Sequence, residues 1–287
     1  MGVHLPTPTI LTDTVRRALA EDIDRGDITS QACVPTTTMG AADLVAREAL
    51  VCCGLPIVEE VYGQIDPLVD VDPHTLEGDA VAPGASLARV SGPAASLLLG
   101  ERVALNFMQR LSGIATMTRR FVEAVPAGAP TRITDTRKTT PGLRAFERYA
   151  VRCGGGRNHR EDLGAGILIK DNHIAAAGSC AEAIGRAKAH APHTVRIECE
   201  VDTMAQLQEA LDAGADIVML DNFDDGQVRD ALALSAGRAI IEVSGGITLE
   251  RVGALGELGV DVISVGALTH SPKAADIGLD WKGPPET

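Results

Sequence analysis

TVRIECEVDTMAQLQEALDAGADIVMLDN, residues 194–222, decides the fold class. A short β-branched run, TVRIECEV, is followed by a helical stretch with Asp202 or Thr203 as its cap and Gly214 as its stop. A second run, ADIVMLDN, then closes on an acid. The unit recurs on both sides, in TRITDTRK (131–138), AGILIKDN (165–172), RAIIEVSGG (238–246) and VDVISVGAL (260–268). Intervening helices begin at Ser179, with Glu182 three residues on, and at Thr248. Alternating strands and helices predict a parallel α/β architecture, closed by right-handed crossovers into a barrel or an open doubly wound sheet. No GxGxxG follows the first run, so the dinucleotide-binding version lacks its signature.

The first hundred residues have a different rhythm. DLVAREALVCCG (43–54) predicts a strand, LPIVEEVYGQI (55–65) a helix, and EGDAVAPGASLARVSGP (77–93) two short strands around a Pro-Gly turn. LLLGERVALNFMQRLSGIATMTRRFVEAV (97–125) is helical by periodicity and joins the halves. We therefore expect a small α/β domain over 1–110 and a barrel domain over 111–270. The tail 271–287 is a candidate to pack back on the first. The EGDxVxxG pattern also occurs in lipoyl-type carriers, but no lysine stands at the hairpin tip.

Aromatic residues make up only 2% of the chain, so the core must be aliphatic, which suits parallel strands covered by helices. A net charge of −13 argues against nucleic acid and anionic membrane surfaces as partners. No apolar run is long enough to span a bilayer, and the first residues lack the pattern of an export signal. The six cysteines are scattered, with no CxxC pair or zinc spacing. Reduced thiols and a cytoplasmic location are the expectation.

The charge is uneven. Residues 132–170 hold nine basic groups against four acids, a cationic island in an acidic protein. Arginine forks meet carboxylate or phosphate in paired hydrogen bonds, so the island predicts a pocket for a multiply charged anion. A solvated helical face, with Glu147 paired to Arg144 or Arg148, is the competing explanation for part of it. In a barrel, residues just past the strand ends converge on one face. Here they are Arg137 with Lys138, Lys170, Glu200, Asp221, the Ser244–Gly246 turn and Gly266. Glu200 and Asp221 suit ribose hydroxyls, Mg2+ or an ion pair with a barrel lysine or arginine. The turns 244–246 and 265–267 can direct N–H groups at a phosphate. Lys170 could instead form a Schiff base, as in aldolases.

ALAEDIDRGDITS (18–30), ERVALNFMQRLSGIAT (101–116), DTRKTTPGLRAFERYAVRCGGGRNHR (135–160), LIKDNHI (168–174), MLDN (219–222), EVSGGI (242–247) and ISVGALTHS (263–271) resemble the quinolinate phosphoribosyltransferases, most closely the bacterial form. The likeness implies an N-terminal α/β sandwich followed by an incomplete parallel barrel of about six strands. It implies transfer of phosphoribosyl from phosphoribosyl pyrophosphate to quinolinate, with decarboxylation to nicotinate mononucleotide in NAD biosynthesis, and Mg2+ as cofactor. Arg137, Arg160, Lys138 and His159, beside Thr136, would hold the quinolinate carboxylates. Lys138 and Lys170 would also meet the phosphates. Lys138, Lys170, Glu200 and Asp221 would form the catalytic set, with Glu200 and Asp221 on the metal and ribose. Ser244, Gly245, Gly246, Val265, Gly266 and Ala267 would take the 5′-phosphate, and Arg102 would enter a neighbouring site of a homodimer. Ala165 departs from the family pattern, where Asp is expected. Nicotinate phosphoribosyltransferase, a paralogue using another substrate and a non-catalytic anion-binding barrel are the alternatives.

Overall fold

A computed structural model describes residues 4–283. The chain forms two compact units. The first takes the residues up to Arg119, Thr139–Gly155 and everything from Leu268 onward; the second takes Arg120–Lys138 and Gly156–Ala267. In chain order the elements are α1 (Pro8–Ile23), α2 (Ile28–Cys33), β1 (Met39–Ala46), β2 (Leu50–Val51), α3 (Leu55–Ile65), β3 (Asp70–Pro73), β4 (Ala80–Val81), β5 (Ser86–Pro93) and α4 (Ala94–Glu123). Then come β6 (Arg132–Thr134), α5 (Arg144–Cys153), β7 (Ile167–Ile169), α6 (Asp171–Ala177), α7 (Cys180–His190), β8 (Ile197–Val201) and α8 (Met204–Asp212). The last are β9 (Ile217–Asp221), α9 (Asp225–Ser235), β10 (Ile240–Ser244), α10 (Leu249–Leu258), β11 (Val262–Ser264), α11 (Ala267–His270) and β12 (Ile277–Gly283).

The first unit is built on an antiparallel sheet in the order β12-β1-β5-β3, with β2 and β4 as a separate pair. β12 belongs to the tail, and residues 284–287 of that tail lie outside the described residues. The tail is seated against α4. Gln109 Nε2 donates to the Ile277 carbonyl at 2.7 Å, and the Ala275 N–H donates to the Gln109 carbonyl at 2.9 Å. Gly113 permits the approach, because a β-carbon there would collide with the Lys273 carbonyl. Residue 110, the expected domain boundary, falls within the continuous helix α4, and the compact units exchange chain at Arg119 and Arg120 along that same helix.

Glu147 explains why 139–155 belongs to this unit. It is fully buried on α5, and its carboxylate accepts from Arg110 Nη2 (2.7 Å), Thr140 Oγ1 (2.7 Å) and the Thr140 N–H (3.0 Å). The sequence offered Arg144 and Arg148 as its neighbours; packing supplies Arg110, thirty-seven positions away. Five of the cysteines are buried, and Cys33 is exposed.

The second unit carries six parallel strands in the order β7-β8-β9-β10-β11-β6. All six runs named in the sequence become strands, each shorter than its run. Ser179 and Thr203 act as side-chain caps, accepting from the Glu182 and Gln206 N–H groups. Residues at or before the starts of all six strands line one cavity, so the sheet curls on itself as an incomplete barrel. Segment 156–160 runs along the free edge of β6, with the Arg157 N–H donating to Ile133 (2.8 Å) and the Asp135 N–H to Arg157 (3.2 Å).

Removing one partner of a buried ion pair strands the other charge, a cost of roughly 3–5 kcal/mol. Arg110→Ala should therefore lower the unfolding free energy of the first unit by about that amount in urea titration. Arg16→Ala, which breaks the exposed Arg16–Asp13 pair, should cost less than about 1 kcal/mol. Equal losses would contradict the role given to Glu147.

Candidate functional site

The strand ladders set the heights of the polar strand ends. Lys170 follows β7, Glu200 lies one residue from the end of β8, and Asp221 and Ser244 end β9 and β10. Asp221 is level with Ser244 across the parallel ladder, and Glu200 is level with Met219. Lys170 Nζ donates to Glu200 Oε2, so of the alternatives open for this acid the ion pair is present. Asp221 is held differently. Its Oδ2 accepts from Asn222 Nδ2 at 2.8 Å, and the Asn222 N–H donates to the Ser244 carbonyl at 3.2 Å.

That arrangement requires two left-handed residues. Asn222 has φ 58°, a conformation that asparagine tolerates better than most side chains, and Gly245 has φ 86°. A β-carbon on Gly245 would strike the Asn222 amide and come within 2.9 Å of Asp221 Oδ1. The glycine turn after β10 is thus the space in which the acid of β9 sits. Gly246, with φ 57°, continues the turn toward α10. Val265 binds back to β6, its N–H donating to the Thr134 carbonyl at 2.9 Å, and Gly266 and Ala267 lead into α11.

β6 ends at Thr134, so Thr136, Arg137 and Lys138 lie on the segment beyond it rather than in the strand. Thr136 Oγ1 accepts the Lys138 N–H at 3.1 Å and fixes that turn. Arg137 is close enough to Arg160 for their charges to interact. Burial first, and Arg137 second, hold the Arg160 pKa below its ordinary value. Arg160 Nη1 donates to the Gly166 carbonyl at 2.9 Å. Arg102 is exposed on α4, in the first unit.

His159 has a different setting from the one expected. Its Nε2 lies 3.3 Å from Glu198 Oε2 and 3.5 Å from Glu242 Oε1, and both glutamates are buried. Its backbone N–H donates to Asp135 Oδ1 at 2.7 Å, and Asn158 Nδ2 donates to Asp135 Oδ2 at 2.6 Å. Burial opposes a charged ring here, but the hydrogen bonds to Glu198 and Glu242 outweigh it and push the pKa up to about 10. The backbone pulls the other way. The Arg160 N–H donates to Nδ1 at 2.8 Å and needs a lone pair there, which leaves the ring proton on Nε2, facing the carboxylates. A proton on Nδ1 would meet the Arg160 N–H head-on. A ring so engaged offers no lone pair to a metal ion, although His159, Glu198 and Glu242 are close enough to share one. Burial also raises the Glu198 pKa.

Glu198 and Glu242 were not picked out in the sequence. The signal was present: Glu198 stands two residues before Glu200 in the same strand, so both face the barrel interior. His159 and Arg160 also line a cavity of about 750 Å3. Its other residues include the strand starts Arg132, Ile167, Ile217, Ile240 and Val262, so it opens at the N-terminal ends of the strands. Lys170, Glu200, Asp221 and Ser244 are not in its lining.

The sequence matches the quinolinate phosphoribosyl transferase N-terminal domain over residues 27–112 and the C-terminal domain of that family over 114–280. It is 48% identical to a probable carboxylating nicotinate-nucleotide pyrophosphorylase of Bacillus subtilis, covering 91% of this chain and 89% of the relative. A carboxylating nicotinate-nucleotide pyrophosphorylase of Mycobacterium leprae is 43% identical over 93% of this chain and 96% of its own. The crystal structure of NadC from Streptococcus pyogenes superposes with a TM-score of 0.94 at 42% identity, covering 98% of this chain and all of that one. With both domains matched and near full-length likeness in sequence and fold, the chain belongs to the quinolinate phosphoribosyltransferase family.

Proposed function

We propose that this protein transfers phosphoribosyl from phosphoribosyl pyrophosphate to quinolinate, releasing pyrophosphate and CO2 and leaving nicotinate mononucleotide. The observation that carries the reading is the charge set past the strand ends. Arg137, Lys138, Lys170 and the neighbouring Arg160 are more cation than one carboxylate needs, and acids stand beside them at Glu200 and Asp221. A dicarboxylate and a pyrophosphate together match it.

In this reading the quinolinate nitrogen attacks C1 of the ribose as the bond from C1 to the pyrophosphate oxygen breaks. Glu200 and Asp221 set negative charge near the carbon that becomes positive, which is electrostatic preorganisation and not nucleophilic attack. The nitrogen gains positive charge. The bond from C2 to its carboxylate then breaks, its electron pair stays on C2 beside N+, and C2 takes a proton. Arg137, Arg160 and Lys138 orient the two carboxylates, and Lys138 and Lys170 face the phosphates. Turns 244–246 and 265–267 receive the 5′-phosphate.

Glu200 and Asp221 offer only oxygen donors, from adjacent strands, and such donors fit Mg2+, which keeps several waters. They would hold the ion, and bound Mg2+ supplies charge neutralisation on the pyrophosphate. His159 has both ring nitrogens engaged, so we assign it a positioning role, holding Arg160 through the hydrogen bond at Nδ1. Arg102 is proposed to act in a neighbouring subunit's site, making the working unit a homodimer. A cytoplasmic location is part of this proposal. Separately, among the described residues no helix is long and apolar enough to cross a membrane.

The direct test offers the protein phosphoribosyl pyrophosphate and Mg2+ with either quinolinate or nicotinate. Equal amounts of CO2 and nicotinate mononucleotide should come from quinolinate alone; product from nicotinate without CO2 would overturn the reading. Each charge-assisted hydrogen bond lost costs roughly 1.5–3 kcal/mol, so Arg137→Ala or Arg160→Ala should reduce kcat/KM for quinolinate by ~10-fold or more. Normal kinetics in both would remove the assigned pocket. Gly245→Ala should displace Asp221 and cut turnover by a similar factor, with the far-ultraviolet circular dichroism unchanged. An active Gly245→Ala protein would show that the turn is not needed to place the acid.

A further inference from the structure

The cavity at the N-terminal ends of the barrel strands borders His159 and Arg160 but holds none of Arg137, Lys138, Lys170, Glu200, Asp221 or Ser244. Its mouth carries Arg132, Arg157 and Arg196, all exposed, none with a side-chain hydrogen bond or ion pair among the described residues. Three partner-free guanidinium groups at one opening of an acidic protein select an anion, above all a phosphate, which an arginine fork meets with two hydrogen bonds. The walls are aliphatic, from Ile167, Ile217, Ile240 and Val262. The floor has the opposite demand to the mouth. Glu198 is 5% exposed and Thr134 is 4% exposed; both line the cavity, and Glu198 Oε1 and Thr134 Oγ1 have no hydrogen-bond partner. Buried polar atoms of this kind call for a partner, and a carboxylate oxygen calls for a donor.

We propose that this cavity is a second small-molecule site, taking a nucleotide whose base carries an exocyclic amino group. The phosphate would sit among the arginines of the mouth. The flat base would lie between the aliphatic walls, and its amino hydrogens would meet Glu198 Oε1 and Thr134 Oγ1. The volume, about 750 Å3, is in the ordinary range for such ligands. A base with a carbonyl in place of the amino group would set oxygen against carboxylate, so the floor discriminates against it.

The probe is AMP, with inosine monophosphate, ribose 5-phosphate and inorganic phosphate as comparisons, measured by calorimetry on the whole protein. AMP should bind at least ~10-fold more tightly than each of the other three, since a lost hydrogen bond to a charged group costs that much. Arg132→Ser with Arg196→Ser should abolish AMP binding and leave turnover of quinolinate unchanged, which also shows that the variant is folded. Arg137→Ala, at the other end of the strands, should leave AMP binding intact. AMP binding that survives the double substitution but is lost in Arg137→Ala would place the nucleotide in the reaction site and overturn the proposal. No binding of AMP, or equal binding of inosine monophosphate or phosphate, would overturn it as well. A protein inactive on quinolinate that still bound AMP as described would lose the reaction assignment and keep this one.

Discussion

Two buried glutamates in the middle of a parallel barrel need a hydrogen-bond donor from inside it. Glu198 on β8 and Glu242 on β10 face the interior with one strand between them, and His159 enters from the segment along the free edge of β6 to meet both. That contact fixes the path of 156–160. It sets where Arg160 leaves the backbone, because the Arg160 N–H is bonded to the same ring. Asp135 completes the clamp from the end of β6, taking the His159 N–H and the Asn158 amide. An incomplete barrel has an open edge, and here a buried polar cluster rather than a further strand ties that edge to the interior.

The cluster divides the interior into two ends of different chemistry. Above it, at the C-terminal ends, cations and acids alternate, with Lys170 on Glu200 and Asp221 beside the Gly245 turn. Below it, Arg132, Arg157 and Arg196, which have no side-chain partner among the described residues, rim a cavity with aliphatic walls. Parallel strands make this separation possible, since every strand presents its end to one face and its start to the other. Catalysis is proposed for the first face and nucleotide binding for the second, with one set of strands serving both.

The six strands and their order along the chain were legible because each is a β-branched run bounded by Gly, Asp or Lys. The strand-end residues Lys170, Glu200, Asp221 and Ser244 were legible for the same reason: position in a parallel strand fixes position in the barrel. What depends on contacts distant in sequence was not legible. The partner of Glu147 is Arg110 and not a neighbour on its own helix. α1 and β3 were not among the elements named from the sequence, and the pairing of β12 with β1 joins residues over two hundred positions apart. The resemblance implies that His159 meets carboxylates of the substrate, but nothing in the sequence shows that Glu198 and Glu242, from two other strands, flank its ring.

Everything proposed for catalysis requires quinolinate to bind at the C-terminal strand ends and not in the arginine-rimmed cavity below the glutamates. A crystal structure with quinolinate tests it most directly. Both carboxylates should lie on Arg137, Arg160 and Lys138, with the ring nitrogen directed toward the space beside Glu200 and Asp221. Quinolinate seated among Arg132, Arg157 and Arg196 would contradict it.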